Sequence, residues 1–476
     1  MVFKGFKIAF ALLIIDLAAF YTALTLAYLT RKLLNFLPID LIEFTHKPTD
    51  LLRLWWIPLI YIFFIAFERL YTKRLPLWDE VRDLIKAVTL AAVVVFAIVS
   101  LGKMTEQVSR LLLLLLWFYS LFLFPLFRMW GKRLLYRLGL WPKSMLIIGS
   151  DDGARKAAAT LMSDRHTGYK IIGFLDDNGG EIEVLGRKIP VLGRLAECPS
   201  VIETHRPEAV LIAKPALEKD ELEKLTREVH KRTKRLFVLP DLEGLALLNS
   251  ELYHLFMQQL FMIKINNNLN STFNMALKRS FDIFLAILLT PVLLPLIAIV
   301  AAAIKLDSKG PVFFVHKRVG RGGKPIGVIK FRTMHSDAQE RLEKILESDF
   351  EARVEWENSF KLKDDPRITR VGRFLRKTSL DELPQIFNVI RGDMSFVGPR
   401  PVVPEEIERY YKEYAEYYYM VRPGITGLWQ VSGRSDTGYD LRVRLDTWYV
   451  LNWSLWLDVV MLLKTVKVVF EREGAY

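Results

Sequence analysis

The strongest constraint on this chain is a series of apolar stretches near its N-terminus: Ile8–Thr30, Leu54–Phe67, Ala87–Gly102 and Leu111–Phe127. A helix needs about 20 residues to cross the hydrocarbon core of a bilayer. The first stretch has that length alone, and the others reach it once their flanks are included. Leu54–Phe67 is short unless Arg53, Glu68 and Arg69 snorkel to the interface. Buried helices of a soluble protein are the competing reading, but four in a row predict a four-helix transmembrane bundle over residues 1–143. Hydrophobic residues make up 51% of the chain and charged ones still reach 25%, which excludes both a purely soluble globule and a bare membrane bundle. The chain reads as a multi-domain membrane protein with substantial aqueous parts.

Positive charge sets the expected orientation. Lys4 and Lys7 precede the first stretch, Arg69, Lys73, Arg74, Arg82 and Lys86 follow the second, and Arg128, Lys132, Arg133, Arg137 and Lys143 follow the fourth. The loop after the third has only Lys103 and Arg110. The N-terminus and everything after Lys143 are therefore expected inside. Met1–Lys7 is basic but no small-residue cleavage site follows cleanly, so the first stretch reads as an uncleaved anchor. Asp16 lies inside it as a packing contact or a functional acid. The net charge of +13 favours phosphates and lipid headgroups as partners over nucleic acid. Cys198 is the only cysteine, which excludes an intrachain disulfide and a Cys-rich metal site.

The pattern changes at about Met145. Short apolar runs at Met145–Gly149, Ile171–Leu175, Ala209–Ala213 and Leu236–Leu239 alternate with helical stretches at Asp151–Ser163 and Glu218–Lys234. Alternation of this kind predicts a parallel, doubly wound sheet, a Rossmann-like α/β domain over residues 144–250. Its first strand–helix turn is Gly149-Ser-Asp-Asp-Gly153-Ala154. A dinucleotide fingerprint needs glycine where Asp151 stands, and Asp152 adds further repulsion of phosphate. The nucleotide site is degenerate, and a structural, assembling or regulatory role is expected. Residues 251–273 read as a linker.

The remainder, residues 274–476, is expected to be an α-rich domain. Ile283–Ile304 carries no charge and is long enough to span, but Pro291 and Pro295 interrupt it and both flanks are basic. A helix over about 278–305 that enters, bends and returns to the same face fits both facts. A fifth, kinked span is the alternative.

Downstream, arginines recur at 367, 370, 373 and 376, a row suited to phosphate oxygens or to anionic lipid. Ser379-Leu-Asp-Glu382 follows. Ser379 and Glu382 have capping-box spacing, and Leu383, Ile386, Phe387 and Ile390 give a helical apolar face ending at Gly392. Capping explains one acid. Asp381 beside Glu382 and the arginine row also suits a nucleophile toward phosphorus, kept ionised by a helix N-terminus, with a Mg²⁺-holding neighbour. Gly392–Pro401 and Arg422–Arg434 are rigid Gly- and Pro-rich loops. The tyrosines at 410, 411, 414, 417, 418 and 419 suit a membrane interface or a core, and Trp448–Phe470 reads as an amphipathic stretch for the bilayer surface.

From Lys278 onward the chain resembles the bacterial polyprenyl-phosphate sugar-phosphate transferases, the monotopic phosphoglycosyl transferases. The matching pieces are Lys278-Arg-Ser-Phe-Asp282, Asp307-Ser-Lys-Gly-Pro311, Lys330–Met334, Arg376–Pro384 and Gly392–Pro401. The layout with four spans and a degenerate central domain is similar to the large members, above all those that transfer galactose 1-phosphate at the start of O-antigen synthesis in lipopolysaccharide. The resemblance implies a covalent mechanism. Asp381 would attack the β-phosphorus of a UDP-sugar, release UMP, and pass the sugar-phosphate to undecaprenyl phosphate. It implies Lys330 and Arg376 as further catalytic groups and Glu382 and Asp458 as Mg²⁺ ligands. It implies Arg400, Arg332, Thr290 and Pro291 at the substrate, with Thr290-Pro291 standing where the family has its helix-breaking Ser-Pro. UDP-sugars are cytoplasmic, so the expected location is the cytoplasmic face of the bacterial inner membrane, with the lipid bilayer as a partner.

A glucose-specific transferase stays open, as does a non-catalytic scaffold for polysaccharide assembly. A nucleotide-dependent dehydratase would need an intact glycine turn and a Tyr-x-x-x-Lys pair near the central sheet, and neither is present. The central domain is also the natural surface for a homodimer.

Overall fold

The computed structural model of the chain describes residues 2–36, 44–45, 47, 54–103, 108–214, 217–241, 247–248, 250–255, 260–348, 353, 365–432 and 438–471. They divide into two compact units, Met1–Leu242 and Glu243–Tyr476.

The first unit begins with helices α1 (Val2–Leu33), α2 (Ile57–Phe67), α3 (Leu77–Leu101) and α4 (Arg110–Arg137). Ala19, Ala23, Ala27, Ala87 and Ala91 are fully buried where these helices pack, because small side chains let backbones approach. Phe10, Phe63, Phe118 and Phe122 stay exposed, as side chains meant for lipid do. The second helix departs from expectation. At 11 residues it is only about 16 Å long, half a bilayer. Among the described residues, four helices have spanning length and apolarity: α1, α3, α4 and a later one, Thr272–Asp307.

Asp16 proves to be a packing contact. Its carboxylate accepts from Arg128 Nε at 2.7 Å and Nη2 at 2.6 Å, with both side chains buried. Arg128 also donates to the Leu70 carbonyl, and Glu80 accepts from Lys132 at 2.5 Å and contacts His166. Two of the positive charges used to orient the bundle are thus internal.

His166 belongs to the α/β domain that completes this unit. Its sheet has the order β3-β4-β2-β1-β5-β6. The strands are β1 (Lys143–Ile148), β2 (Tyr169–Leu175), β3 (Glu181–Val184), β4 (Arg187–Gly193), β5 (Ala209–Ile212) and β6 (Leu236–Val238). All neighbours are parallel except β3–β4. Helix α5 (Asp152–Ser163) covers one face, α6 (Cys198–His205) and α7 (Lys219–Arg232) the other. The elements β3, β4 and α6 lie outside the strands and helices expected from sequence: β3 has only four residues with charge on alternate positions, and β4 opens on Arg187-Lys188 and contains Pro190. At the switch point between β1 and β5, Gly149 has φ +106° and any Cβ would strike the Ala213 carbonyl. Asp151 caps α5 itself, accepting from Ala154 N at 2.9 Å, so the N–H that a phosphate would use is already taken.

In the second unit, the stretch expected as a linker holds an antiparallel hairpin, β7 (Glu251–Leu255) with β8 (Leu260–Lys264). Helix α8 (Thr272–Asp307) follows and contains Pro291 and Pro295. Around it stand the antiparallel pair β9 (Phe313–Val319) and β10 (Pro325–Phe331), helices α9 (Ala338–Ser348), α10 (Arg370–Thr378), α11 (Gln385–Arg391) and α12 (Ala415–Met420), the short parallel pair β11 (Ser395–Val397) and β12 (Gly424–Thr426), and helices α13 (Tyr439–Leu451) and α14 (Leu455–Glu471). The C-terminal amphipathic stretch is two helices broken at Asn452–Ser454, and Trp453 is buried. Tyr411 and Tyr418 belong to the core.

Candidate active site

Helix α10 is built to point its C-terminal end at one place. Thr369 caps its start by accepting from Gly372 N at 2.9 Å, and the Asp307 carboxylate accepts from Val371 N at 3.0 Å. Gly372 packs on the Thr333 carbonyl with no room for a Cβ. The helix ends at Ser379, whose φ of 55° is left-handed and turns the chain sharply. A 3₁₀ turn, Leu380–Glu382, then carries the two acids. Beyond it, the buried Asn388 of α11 accepts from Ile329 N at 3.0 Å and donates to the Gly327 carbonyl at 2.7 Å, lacing α11 to β10.

The acids therefore lie between two anchored helices and beside the end of β10. Lys330 Nζ donates to Glu382 at 2.7 Å. Arg376 Nε donates to Thr333 Oγ1 at 2.9 Å and its guanidinium acts electrostatically on Asp381. The expected capping box does not form: Ser379 closes α10 instead, and the Glu382 carboxylate goes to Lys330. Burial, and then the neighbouring Glu382, push the pKa of Asp381 above the ordinary carboxylate value, against the pull of Lys330 and Arg376.

The arginine row divides. Arg367 is buried in a two-pronged pair with Asp365, at 2.8 and 2.7 Å, Arg370 and Arg373 face outward, and only Arg376 turns to the acids.

Two expected site residues have other work. Arg332 is buried and donates to the Ser308 and Lys309 carbonyls and to Ser308 Oγ, so it clamps the turn after α8 rather than meeting substrate. Asp458 is buried with both oxygens engaged: Oδ1 accepts from Tyr449, Oδ2 from Lys278 at 2.7 Å and from Trp453. These three donors engage both of its oxygens. It anchors the start of α8, where Asp282 also holds Ser395 and Phe396 of β11. Thr290 Oγ1 folds back on the Ala286 carbonyl at 2.6 Å, as expected of the residue before a helical proline. Thr290 and Pro291 lie mid-helix among the exposed Ile287, Leu288 and Val292, a lipid-facing setting.

No group of three metal-ligating side chains converges among the described residues. The Asp381–Glu382 pair nevertheless fits Mg²⁺, which is commonly held by one or two carboxylates and completed by substrate phosphates and water.

Residues 273–472 match the bacterial sugar transferase family and residues 71–240 a CoA-binding domain. An undecaprenyl-phosphate galactose phosphotransferase of Salmonella typhimurium is 39% identical over 98% of this chain and 96% of its own. The chain belongs to the bacterial sugar transferases. This transferase is also similar to a UDP-galactose-lipid carrier transferase of Erwinia amylovora, 37% identical over 100% of this chain and 98% of that one. The UDP-glucose:undecaprenyl-phosphate glucose-1-phosphate transferase of Escherichia coli is 37% identical over 56% of this chain and 55% of its own. The chain is thus a membrane-associated enzyme of sugar-phosphate transfer.

The basic and aromatic residues beyond Lys330, namely His316, Arg318, Arg442 and Trp429, escaped sequence reading. The signal was present in part, since His316 and Arg318 alternate along a strand as Val328 and Lys330 do.

Proposed function

We propose that the enzyme transfers galactose 1-phosphate from UDP-galactose to undecaprenyl phosphate through an aspartyl intermediate. The observation that carries this reading is the Asp381–Glu382 pair set between Lys330 and Arg376. An Asp381 oxygen attacks the β-phosphorus of the donor. The bond from that phosphorus to the bridging oxygen breaks, and UMP departs with the electron pair. A phosphate oxygen of undecaprenyl phosphate then attacks the same phosphorus and displaces Asp381, giving undecaprenyl-diphospho-galactose. Lys330 and Arg376 bind and orient the phosphates. Mg²⁺ on Glu382 would add neutralising charge at the phosphate oxygens. Galactose rests on the names of the full-length relatives, and the product is proposed to start O-antigen synthesis.

The lipid substrate must meet the site at the membrane, and α8 supports a re-entrant course. At its N-terminal end Arg279 donates to the Val389 and Ile390 carbonyls; at its C-terminal end Ser308 is held by Arg332. Val389 adjoins Asn388, which binds Ile329 of β10, and Arg332 directly follows the end of that strand, three residues after Ile329. That strand segment covers about 10 Å, so a hydrocarbon core of about 30 Å cannot separate the two ends unless the catalytic block itself spans it. In this reading the enzyme works at the cytoplasmic face of the inner membrane, where UDP-sugars are found, and its central domain is the surface for a homodimer.

The test is UMP release by the purified protein with Mg²⁺, undecaprenyl phosphate, and UDP-galactose or UDP-glucose in turn. UMP from UDP-galactose, lost in Asp381→Asn, is the expected result. UMP from UDP-glucose alone reassigns the hexose, and UMP release surviving in Asp381→Asn refutes the nucleophile.

A further inference from the structure

The acids lie at one end of a basic furrow that the transfer chemistry does not use up. In the β9–β10 pair, Lys330 stands opposite Phe314, Val328 opposite His316, and Ile326 opposite Arg318. Residues directly opposite share a face of the ladder. From Lys330 the row therefore continues through His316 to Arg318, whose Nη2 meets His316 Nδ1 at 3.2 Å. The carbonyl of Val402 accepts from Val319 N at 2.9 Å, which brings the Arg400–Val402 loop against the end of β9.

At that end a cationic and aromatic group assembles. Arg442 is buried between the rings of Trp429 and Tyr439, its guanidinium carbon 4.9 Å from each centroid. Glu406 pairs with Arg442 at 3.5 Å and with Arg318 at 3.6 Å. Arg442 Nε and Nη2 make no hydrogen bond among the described residues. Arg400 lies 6.0 Å from the Trp429 centroid, half-exposed, and its guanidinium has no hydrogen bond or ion pair with any described residue. Three arginines thus face two acids, Glu406 and Asp446, and Asp446 already accepts from Tyr411 at 2.6 Å. Structural pairing accounts for Arg442 and Glu406. It leaves Arg400 over, beside an aromatic ring.

We infer that this furrow is the leaving-group subsite, in which Arg318 and Arg400 hold the phosphate of a nucleoside monophosphate and Trp429 is the platform for its base. The inference rests on the proposed reaction and extends it to residues that never touch the transferred sugar. The run from Lys330 to Trp429 suits a donor whose β-phosphorus sits at Asp381 while its nucleotide lies along β9. Arginine forks match phosphate oxygens, and an aromatic face accepts a base by stacking. A second phosphate in the reaction, that of the lipid carrier, has the same charge, so the test must tell the two apart.

UMP binding is measured calorimetrically on the full-length protein carrying Asp381→Asn, with inorganic phosphate as comparator. Arg318→Gln, Arg400→Gln and Trp429→Leu are each expected to weaken UMP about tenfold or more. Trp429→Phe should recover most of the loss, and thermal unfolding should stay near that of the parent. In the active enzyme the same changes raise KM for the UDP-sugar and leave KM for undecaprenyl phosphate unchanged. Unaltered UMP affinity, or a rise in KM for undecaprenyl phosphate instead, overturns the inference. Phosphate binding as tightly as UMP removes the base platform and overturns it as well. UMP bound through these residues by an enzyme that releases none from any UDP-sugar refutes the proposed reaction and leaves the subsite standing.

Discussion

Burial and Glu382 raise the pKa of Asp381, and this has a cost in stability. A carboxyl whose pKa is higher in the folded chain contributes stability below its unfolded pKa and loses it as pH rises through the folded value. At pH 7 the ionised Asp381 is therefore a burden that Asp381→Asn removes. The expected outcome is an inactive variant that melts above the parent at pH 7, with the gap closing as the pH approaches 4. Equal melting at both pH values would contradict the raised pKa. The nucleophile must also be ionised to act, so kcat/KM falls on the acid side. Lys330 holds that pKa down, and Lys330→Gln should move the acid limb to higher pH in a pH–rate profile.

At the scale of elements, the start of α8 is tied to β11 and α14 by one buried ion pair, Lys278–Asp458. Removing one partner of such a pair costs about 3–5 kcal/mol, because the other charge stays buried and alone. Asp458→Ala should lower the unfolding midpoint sharply with no change in Mg²⁺ dependence of the surviving activity. A shifted Mg²⁺ requirement at unchanged stability would restore Asp458 as a ligand. The course of α8 is testable with single cysteines at Ser271 and Lys309, since Cys198 is the only native cysteine and is buried. Both sites should react with an impermeant thiol reagent from the same side of sealed vesicles. Reaction from opposite sides would make α8 a true span.

Over the whole of the first unit, the bundle and the α/β domain are joined by charge as well as by apolar contact. Glu80 bridges Lys132 and His166, Arg128 bridges Asp16 and Glu80, and Arg74 stacks on Trp141 at 4.1 Å while donating to the Thr167 and Gly168 carbonyls. Arg128→Met leaves Asp16 buried without its partner and should destabilise this unit by about 3–5 kcal/mol, read as earlier thermal unfolding and faster proteolysis of the α/β domain. A variant with unchanged unfolding would show the network to be dispensable.

Periodicity, composition and turn chemistry alone determined the membrane-anchored class, the alternating strands and helices of the central domain and the spoiled glycine turn. These are local properties, because apolar run length and turn chemistry are written in neighbouring residues. Which charges work and which merely hold the fold is set by contacts between distant segments. Arg376 and Arg367 look alike in the row, but one turns to Asp381 and the other is consumed by Asp365. Arg332 and Asp458 fit the chemistry by type and were withdrawn from it by partners 24 and 180 residues away. The furrow from Lys330 to Trp429 exists only because β9 pairs with β10 and Val319 meets Val402. Tertiary structure decided it, since a side chain's role depends on which groups desolvate and neutralise it.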